Sequence, residues 1–415
     1  MEASDDVVIV GGGVIGLACA LALLEQGRGV RVLDAGRVGG GSSHGNCGTI
    51  TPSHAAPLSA PGTVAKALRW MLTPDAPFYL RPRFDPALWG WLLRFARRCN
   101  RRDWRRAAEV RLSILTAGRN ALPEWVERHG LACEYDPTGV DYVFRTESDL
   151  AGFGAELALL DDIGVAYERI DGDAYVRSEP ALLDGVVQVV RFPGDARLRP
   201  DRYVAELARV VRERGGRIVE QCEATGFDSG DDGVVVTAGG RRWRGRDLII
   251  ATGAWSPQLA RTLNLRVPVQ PGKGYSITWS RPSLVPRRPL VLHERSVCVS
   301  SWDSGYRLGS TMEFSGYDTS LNRRRLDALE RGAAEYLREP VGPEKQEEWF
   351  GWRPLSVDDL PLLGRAPGHR HLWLATGHGM LGVSMSTATG RLMSELVCGR
   401  TPHLDPAPFD PARFA

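Results

Sequence analysis

The stretch from Asp6 to Asp34, DVVIVGGGVIGLACALALLEQGRGVRVLD, narrows the choice of fold more than any other, because it carries the parts of a dinucleotide-binding βαβ unit in order. Asp6 to Val10 reads as a short apolar strand, Val14 to Gln26 has a helical apolar period that stops at Gly27, and Val30 to Leu33 reads as a second strand. Gly11, Gly13 and Gly16 form GxGxxG. In this pattern the first glycine permits a tight turn, the second lets the backbone approach a pyrophosphate, and the third lets the helix lie close on the sheet. Phosphates then face the helix start at Val14 and Ile15, where unpaired N–H groups and the positive dipole end stabilise anionic oxygens. Asp34 is placed to accept hydrogen bonds from a ribose, and an acid there disfavours a 2′-phosphate. The unit predicts a bound dinucleotide and leaves FAD and NAD both open.

A chain of 415 residues with 43% apolar content is long enough for two domains. Its 52 basic and 50 acidic residues give a formal charge of +2, which argues against generalised nucleic-acid binding. Lys66, Lys273 and Lys345 are the only lysines, so arginine is abundant and a single arginine means little by itself. The seven cysteines are scattered, odd in number and free of CxxC. They read as small buried apolar residues in a reducing compartment, with no metal site. No leader-like segment precedes the first strand and no apolar run would span a bilayer, so the expected location is the cytoplasm.

The βαβ logic resumes downstream. Tyr203, Leu207 and Val210/Val211 repeat at helical spacing up to Gly215-Gly216, and Arg217 to Cys222 is a β-type run. Val234 to Thr237 and Arg241 to Trp243 read as a hairpin, and Asp247 to Ala251 as a buried strand running into Thr252 and Gly253. His371 to Ala375 is a further strand, followed by a glycine turn and a helix from Val383 to Val397. These pieces predict a discontinuous dinucleotide domain over 1–56, 195–267 and 346–415, with a substrate domain of 57–194 and 268–345 threaded through it. Nicotinamide dehydrogenases usually keep the dinucleotide unit in one block, so the interleaving favours FAD.

The order of motifs resembles the D-amino-acid oxidase superfamily of FAD-dependent oxidoreductases, most closely the bacterial D-amino-acid dehydrogenase small-subunit group. The likeness covers nearly the whole chain. It is carried by VIVGGGVIG, by SSHGNCGTITPSHAAPLSAPG (Ser42 to Gly62) with LRWML (Leu68 to Leu72), and by PGKGYS (Pro271 to Ser276). The sharpest marks are GWRPLSVDDLPLLGR (Gly351 to Arg365) and LWLATGHGMLG (Leu372 to Gly382). Ser42-Ser43-His44-Gly45 is also similar to the sarcosine-oxidase branch, but Gly48 stands where that branch carries an arginine, and no cysteine lies near Arg353 in sequence to tether a flavin. The resemblance implies an α/β fold with an FAD-binding Rossmann-like domain of glutathione-reductase type, an interleaved α+β substrate domain and non-covalent FAD.

It further implies oxidative deamination of a D-amino acid, or of a cyclic imino acid such as D-proline or D-hydroxyproline, with hydride passing to flavin N5 and the imine hydrolysing to a 2-oxo acid. Such chemistry needs a cation for the substrate carboxylate and an exit for the amine proton. Arg353, in Gly351-Trp352-Arg353-Pro354, matches the family's carboxylate-binding arginine, and its planar guanidinium can pair bidentately where lysine could not. Tyr275 either donates to the same carboxylate, caps the pocket, or is a strand tyrosine with a satisfied hydroxyl. His378 and Met380 flank the Gly377 to Gly382 turn and approach the ring, with Gly379 and Leu381 offering amides; His378 could equally serve only the local backbone. Ser42, Ser43, Asn46 and Gly48 should sit beside the pyrophosphate and ring, Ala224 at the adenine, and Thr252 and Gly253 near the phosphates. His54 and Lys273 are further proton or oxygen contacts, with structural roles as the alternative.

The segment Trp89 to Arg111 places Trp89, Leu92/Leu93, Ala96 and Cys99 on one helical face and arginines largely elsewhere. It suits either an anionic membrane surface near a quinone acceptor or a helix packed on its own domain. Two rival functions stand beside the dehydrogenase: an oxygen-using oxidase of glycine or sarcosine type, and a flavin-bound, non-catalytic binding or assembly protein. Stereochemistry, electron acceptor and oligomeric state are not readable from the residues.

Overall fold

A computed structural model of the chain describes residues 5–71 and 78–415; Leu72, the end of the LRWML run, lies outside them. The strand Asp5–Val10 has parallel neighbours on both sides, Val30–Leu33 and Arg241–Ile250, and its last four residues are buried. A strand enclosed on both faces needs continuous apolar sequence, which is what VVIV supplies. The sheet runs Ala224–Gly230, Gly233–Ala238, Arg241–Ile250, Asp5–Val10, Val30–Leu33, Arg217–Val219, with Leu372–Thr376 and Leu362–Arg365 branching from Arg241–Ile250. Arg241–Ile250 is one ten-residue strand. Its first half pairs antiparallel with Gly233–Ala238 and its end pairs parallel with Leu372–Thr376. The expected hairpin arm and the expected buried strand are therefore one element. Alternating exposure in the first half gives way to full burial in the second, so the sequence period changes within a single strand.

Helix Val14–Glu25 follows the first strand and packs against Gly382–Val397 and Pro200–Glu213. Gly11 turns the chain at φ +108°, and a Cβ on Gly16 would fall 1.9 Å from the Gly11 carbonyl oxygen. The first and third glycines thus serve turn and close packing.

The second sheet runs Lys345–Ser356, Val269–Trp279, Gly305–Phe314, Val297–Trp302, Leu290–Leu292, Val140–Phe144, Gln188–Phe192, Glu168–Asp171, with Phe78–Leu80 paired to Gly305–Phe314. Lys345–Ser356 pairs along its length with Val269–Trp279, so the strand bearing Arg353 lies in this sheet rather than with the dinucleotide pieces in which the sequence places 346–415. The segment Trp89 to Arg111 is two helices, Pro86–Arg98 and Arg101–His129; the second starts at Asn100, whose side chain accepts from the Asp103 N–H. Leu88 and Trp91 face inward while Trp89 and Leu93 are exposed, so the expected apolar face is not the buried one. Among the described residues no helix is long and apolar enough to cross a membrane.

Candidate active site

The two sheets meet at a cavity of about 840 Å³. From the first sheet it is lined by Gly11, Gly13, Asp34, Ala224 and Thr252, and from the second by Gly274, Val291, Cys298 and Arg353. The loop Ser42 to Cys47 runs along its wall. Arg307, itself buried, holds that loop by donating to the carbonyls of His44 at 3.0 Å and Asn46 at 2.7 Å.

At the dinucleotide end, the Ser43 hydroxyl accepts from the Val14 N–H at 3.1 Å, capping the glycine-rich turn from across the cavity mouth. Asp34 accepts from the amides of Gly12 at 2.6 Å and Gly36 at 2.8 Å, so it fixes the loop on both sides of itself while lining the cavity. Each carboxylate oxygen keeps a lone pair for a ribose hydroxyl. A Cβ added to Gly13 would find only Ser43 Oγ within 4 Å, at 3.6 Å, leaving that face of the turn open to a ligand. The open glycine face and the Asp34 carboxylate beside it suit a dinucleotide.

At the other end lies Arg353. Its strand sets Gly351 opposite Gly274, and a Cβ on Gly274 would fall 2.2 Å from Arg353 Nη1, so the guanidinium occupies space that only glycine leaves. Nη1 donates to the Thr311 carbonyl at 2.5 Å. Thr311 has φ +65° at a register shift where it and Met312 oppose Gly274 alone, a β-bulge with a β-branched residue in the left-handed region. The bulge turns that carbonyl onto the guanidinium. No carboxylate pairs with Arg353 among the described residues, and burial holds its pKa below the usual arginine value, Cys47 opposing the shift. A half-buried cation on a cavity wall without a counter-charge favours a ligand that supplies one. Beside it the Trp349 indole fills the space left by two glycines: a Cβ on Gly45 would be 2.1 Å from the ring and one on Gly351 2.2 Å.

Residues 6–396 match the family described as FAD dependent oxidoreductase. The chain is 32% identical over 417 residues to a D-amino acid dehydrogenase of Granulibacter bethesdensis, covering 99% of each chain. It is 32% identical over 427 residues to one of Methylobacterium nodulans, covering 98% of this chain and 99% of the other. The chain belongs to the FAD dependent oxidoreductase family. Solved structures share the fold: glycine oxidase from Geobacillus kaustophilus at TM-score 0.79 and 23% identity, covering 98% of each chain. L-proline dehydrogenase from P. horikoshii aligns at 0.75 and 17% identity, covering 100% of this chain and 98% of the other. FAD is the cofactor of this family, and the open glycine turn and the cavity of about 840 Å³ fit it.

The cavity gathers Gly11, Gly13, Val14, Ile15, Asp34, Ser42, Ser43, Asn46, Ala224, Thr252, Gly253, Gly379, Met380, Leu381, His54, Tyr275, His378 and Arg353. Three expected cofactor contacts do not line it. Gly16 packs helix on strand, Gly48 faces Leu198 and Pro200, and Gly377 packs on Leu362. The amides expected from Gly379 and Leu381 are taken by the carbonyls of Pro354 and His378, both at 3.0 Å. The free N–H groups at this turn belong instead to Gly382 and Val383, the first residues of the following helix, both lining the cavity.

Three side chains expected at the chemistry are committed to protein. Tyr275 donates to Glu313 Oε2 at 3.2 Å, and burial followed by the Glu313 charge pushes its pKa up, so its hydroxyl does not reach toward Arg353. His378 Nε2 bonds Thr389 Oγ1 at 3.1 Å, pointing into the following helix, and burial lowers its pKa to about 3. His54 is held between Thr51 Oγ1 at 2.8 Å and the Tyr142 hydroxyl, with its pKa lowered to about 4 by burial and then by Arg111. Lys273 lies outside the cavity lining, bonded to the Ser320 carbonyl and 4.5 Å from the Phe350 ring centroid. Thr311, Trp349 and His293 carry no sequence signal that points to the site, and the expectation that every cysteine is a small buried apolar residue holds for Cys19, Cys133 and Cys222 but not for Cys47, Cys99, Cys298 and Cys398, which are partly exposed, Cys47 and Cys298 to the cavity. Cys47 sits in the SSHGNC run, but nothing in that run says which strand it meets.

Proposed function

We propose that this FAD-dependent enzyme oxidises a D-amino acid, with cyclic D-imino acids such as D-proline or D-hydroxyproline included, to an imine that hydrolyses to the 2-oxo acid. Electrons then pass to a quinone or another acceptor. The observation that carries the reading is Arg353: a half-buried guanidinium lining the cavity with no carboxylate among the described residues to neutralise it. A substrate carboxylate supplies the missing charge and can pair bidentately, which fixes rotation about the substrate's Cα. The relatives named D-amino acid dehydrogenase support the substrate class.

FAD, when bound, supplies the two-electron acceptor. The chain's own groups orient the substrate and exclude water. Trp349 offers a flat apolar wall beside Arg353 for the hydrocarbon part of the substrate. His54 and His378 stay neutral at physiological pH, with ring nitrogens engaged by Thr51, Tyr142 and Thr389. Neither stands free as an obligatory base. An ammonium brought into this apolar enclosure has its pKa lowered by desolvation and loses its proton on binding.

Anaerobic mixing of the yellow holoprotein with a panel of D- and L-amino acids tests the reading, and bleaching by D forms alone is expected. Bleaching by L forms alone, or by none, rejects it. Peroxide formed in step with substrate loss in air, without added dye, selects the oxygen-using oxidase instead. Release of yellow FAD on acid precipitation is expected for a non-covalent cofactor; colour kept by the pellet rejects that part.

A further inference from the structure

Two thiols share the wall of the cavity. Cys298 lies on the strand Val297–Trp302 directly opposite Gly309 on Gly305–Phe314. A Cβ built on Gly309 would fall 2.5 Å from Cys47 Sγ, so the Cys47 thiol, arriving from the Ser42 to Cys47 loop, occupies the place of the side chain that Gly309 lacks. Directly opposed residues in an antiparallel pair have Cβ atoms about 4.5–5.5 Å apart. The two sulfurs are therefore neighbours, within hydrogen-bonding reach of each other. Ser300 ties the pair together, donating to the Cys47 carbonyl at 2.7 Å and lying 3.9 Å from Cys298 Sγ. Both are free thiols, both line the cavity, and neither is fully buried, whereas Cys19, Cys133 and Cys222 are buried.

The pair is electrically lopsided. Donation from Cys298, then the positive charges of Arg307 and Arg353, hold the Cys47 pKa below the usual thiol value, while Cys298 is pushed well up. One sulfur is thus biased toward thiolate and its neighbour keeps a proton, the arrangement in which a cysteine is nucleophilic and a second can resolve it.

We propose that Cys47 and Cys298 form a modification site in the cavity wall that takes a hydroperoxide as oxidant and closes to a disulfide. The Cys47 thiolate attacks one peroxide oxygen, the O–O bond breaks, and the departing oxygen leaves as water, or as alcohol from an organic peroxide, after taking up a proton. Cys47 is then a sulfenic acid. The Cys298 sulfur attacks it, the S–S bond forms, and the sulfenic hydroxyl leaves as water with the Cys298 proton. Two thiols lose two electrons, and the peroxide is reduced by two. The link ties the Ser42 to Cys47 loop to the second sheet beside Arg353 and is reversed by a dithiol.

The test uses the wild-type holoprotein and reads mass rather than turnover, so its result does not depend on which substrate the enzyme takes. The protein is treated with hydrogen peroxide, alkylated without reduction, digested and mapped. The expected result is a peptide joining Cys47 to Cys298, two hydrogens lighter than its reduced halves, with Cys19, Cys133 and Cys222 alkylated after denaturation and both linked thiols restored by dithiothreitol. In Cys298→Ser, dimedone should trap Cys47 as sulfenic acid; in Cys47→Ser, Cys298 should remain alkylatable. Wild-type Cys47 and Cys298 both fully alkylated after peroxide, or Cys47 found as sulfinic acid beside a free Cys298, overturns the proposal.

Discussion

Arg353 is useful because it is uncomfortable: a half-buried cation on the cavity wall whose protein contact is the Thr311 carbonyl. Lysine at 353 keeps the charge but loses the two-pronged donor, so Arg353→Lys should keep its FAD while kcat/KM for the best D-amino acid falls by about 10²-fold, roughly 3 kcal/mol of lost pairing. A variant within threefold of wild type in steady-state kinetics would remove Arg353 from the substrate site. Gly274→Ala tests the same group from the other side. Its Cβ would lie 2.2 Å from Nη1 and 2.4 Å from Cζ of Arg353, so the guanidinium must move. KM should rise by about tenfold or more, with the flavin content unchanged, because a shift of about 1 Å in a bidentate clamp loses much of its grip. The PGKGYS run contains Gly274 in plain view, yet its task is invisible there: only the pairing with Lys345–Ser356 reveals which side chain passes over it.

At the scale of elements, the short turn Pro52–Ala55 carries His54 to the cavity and is pinned by Asp195, which accepts from the Ser53 N–H at 3.1 Å and the Ser53 hydroxyl at 2.6 Å. Burial, only partly offset by Ser53, raises the Asp195 pKa from 3.8 to about 7. The folded state therefore holds this proton more tightly than the unfolded chain does. The associated stability is fully present below pH 3.8 and is lost as pH rises to about 7. Asp195→Asn cannot ionise, so its melting temperature relative to wild type should climb between about pH 4 and pH 7 by about 2 °C or more and then level off. A difference independent of pH in thermal scans would mean that Asp195 is ionised throughout. His54 works in the opposite sense. Its pKa is lowered to about 4, so protonation opposes the fold as pH falls from 6.5 toward 4; a scan of wild type alone mixes the two, and the difference between variants separates them.

Over the whole molecule, two helices flanking the strand Phe78–Leu80, Thr63–Trp70 and Pro86–Arg98, carry apolar side chains outward: Leu68 is 61% exposed, Trp89 52% and Leu93 64%, and Phe84 nearby is 95% exposed. Lys66, Arg69, Arg97 and Arg98 stand exposed among them. Apolar anchors with a basic surround suit the headgroup region of an anionic bilayer. Sedimentation with vesicles rich in anionic lipid is expected to pull the protein down at low salt and release it at high salt. Recovery of all the protein in the supernatant under both conditions would leave this face without a lipid partner.

The dinucleotide unit was legible because every constraint on it is local: the period of a buried strand, three glycines at fixed offsets, a helix and an acid, all within the stretch from Asp6 to Asp34. Arg353 could be read from its GWRP setting, and the structure turns it into the cavity. What local pattern did not hold was how side chains far apart in sequence satisfy one another. Glu313 takes the Tyr275 hydroxyl and Thr389 takes the His378 ring, because buried polar groups find partners wherever the fold brings them. The same holds for Cys47 and Cys298, which become a pair only when Gly309, on a third segment, leaves room between them. Sequence determined the cofactor unit and the type of charge at the site; strand register, which sets neighbours across hundreds of residues, decided which donors, acceptors and thiols remain free to act.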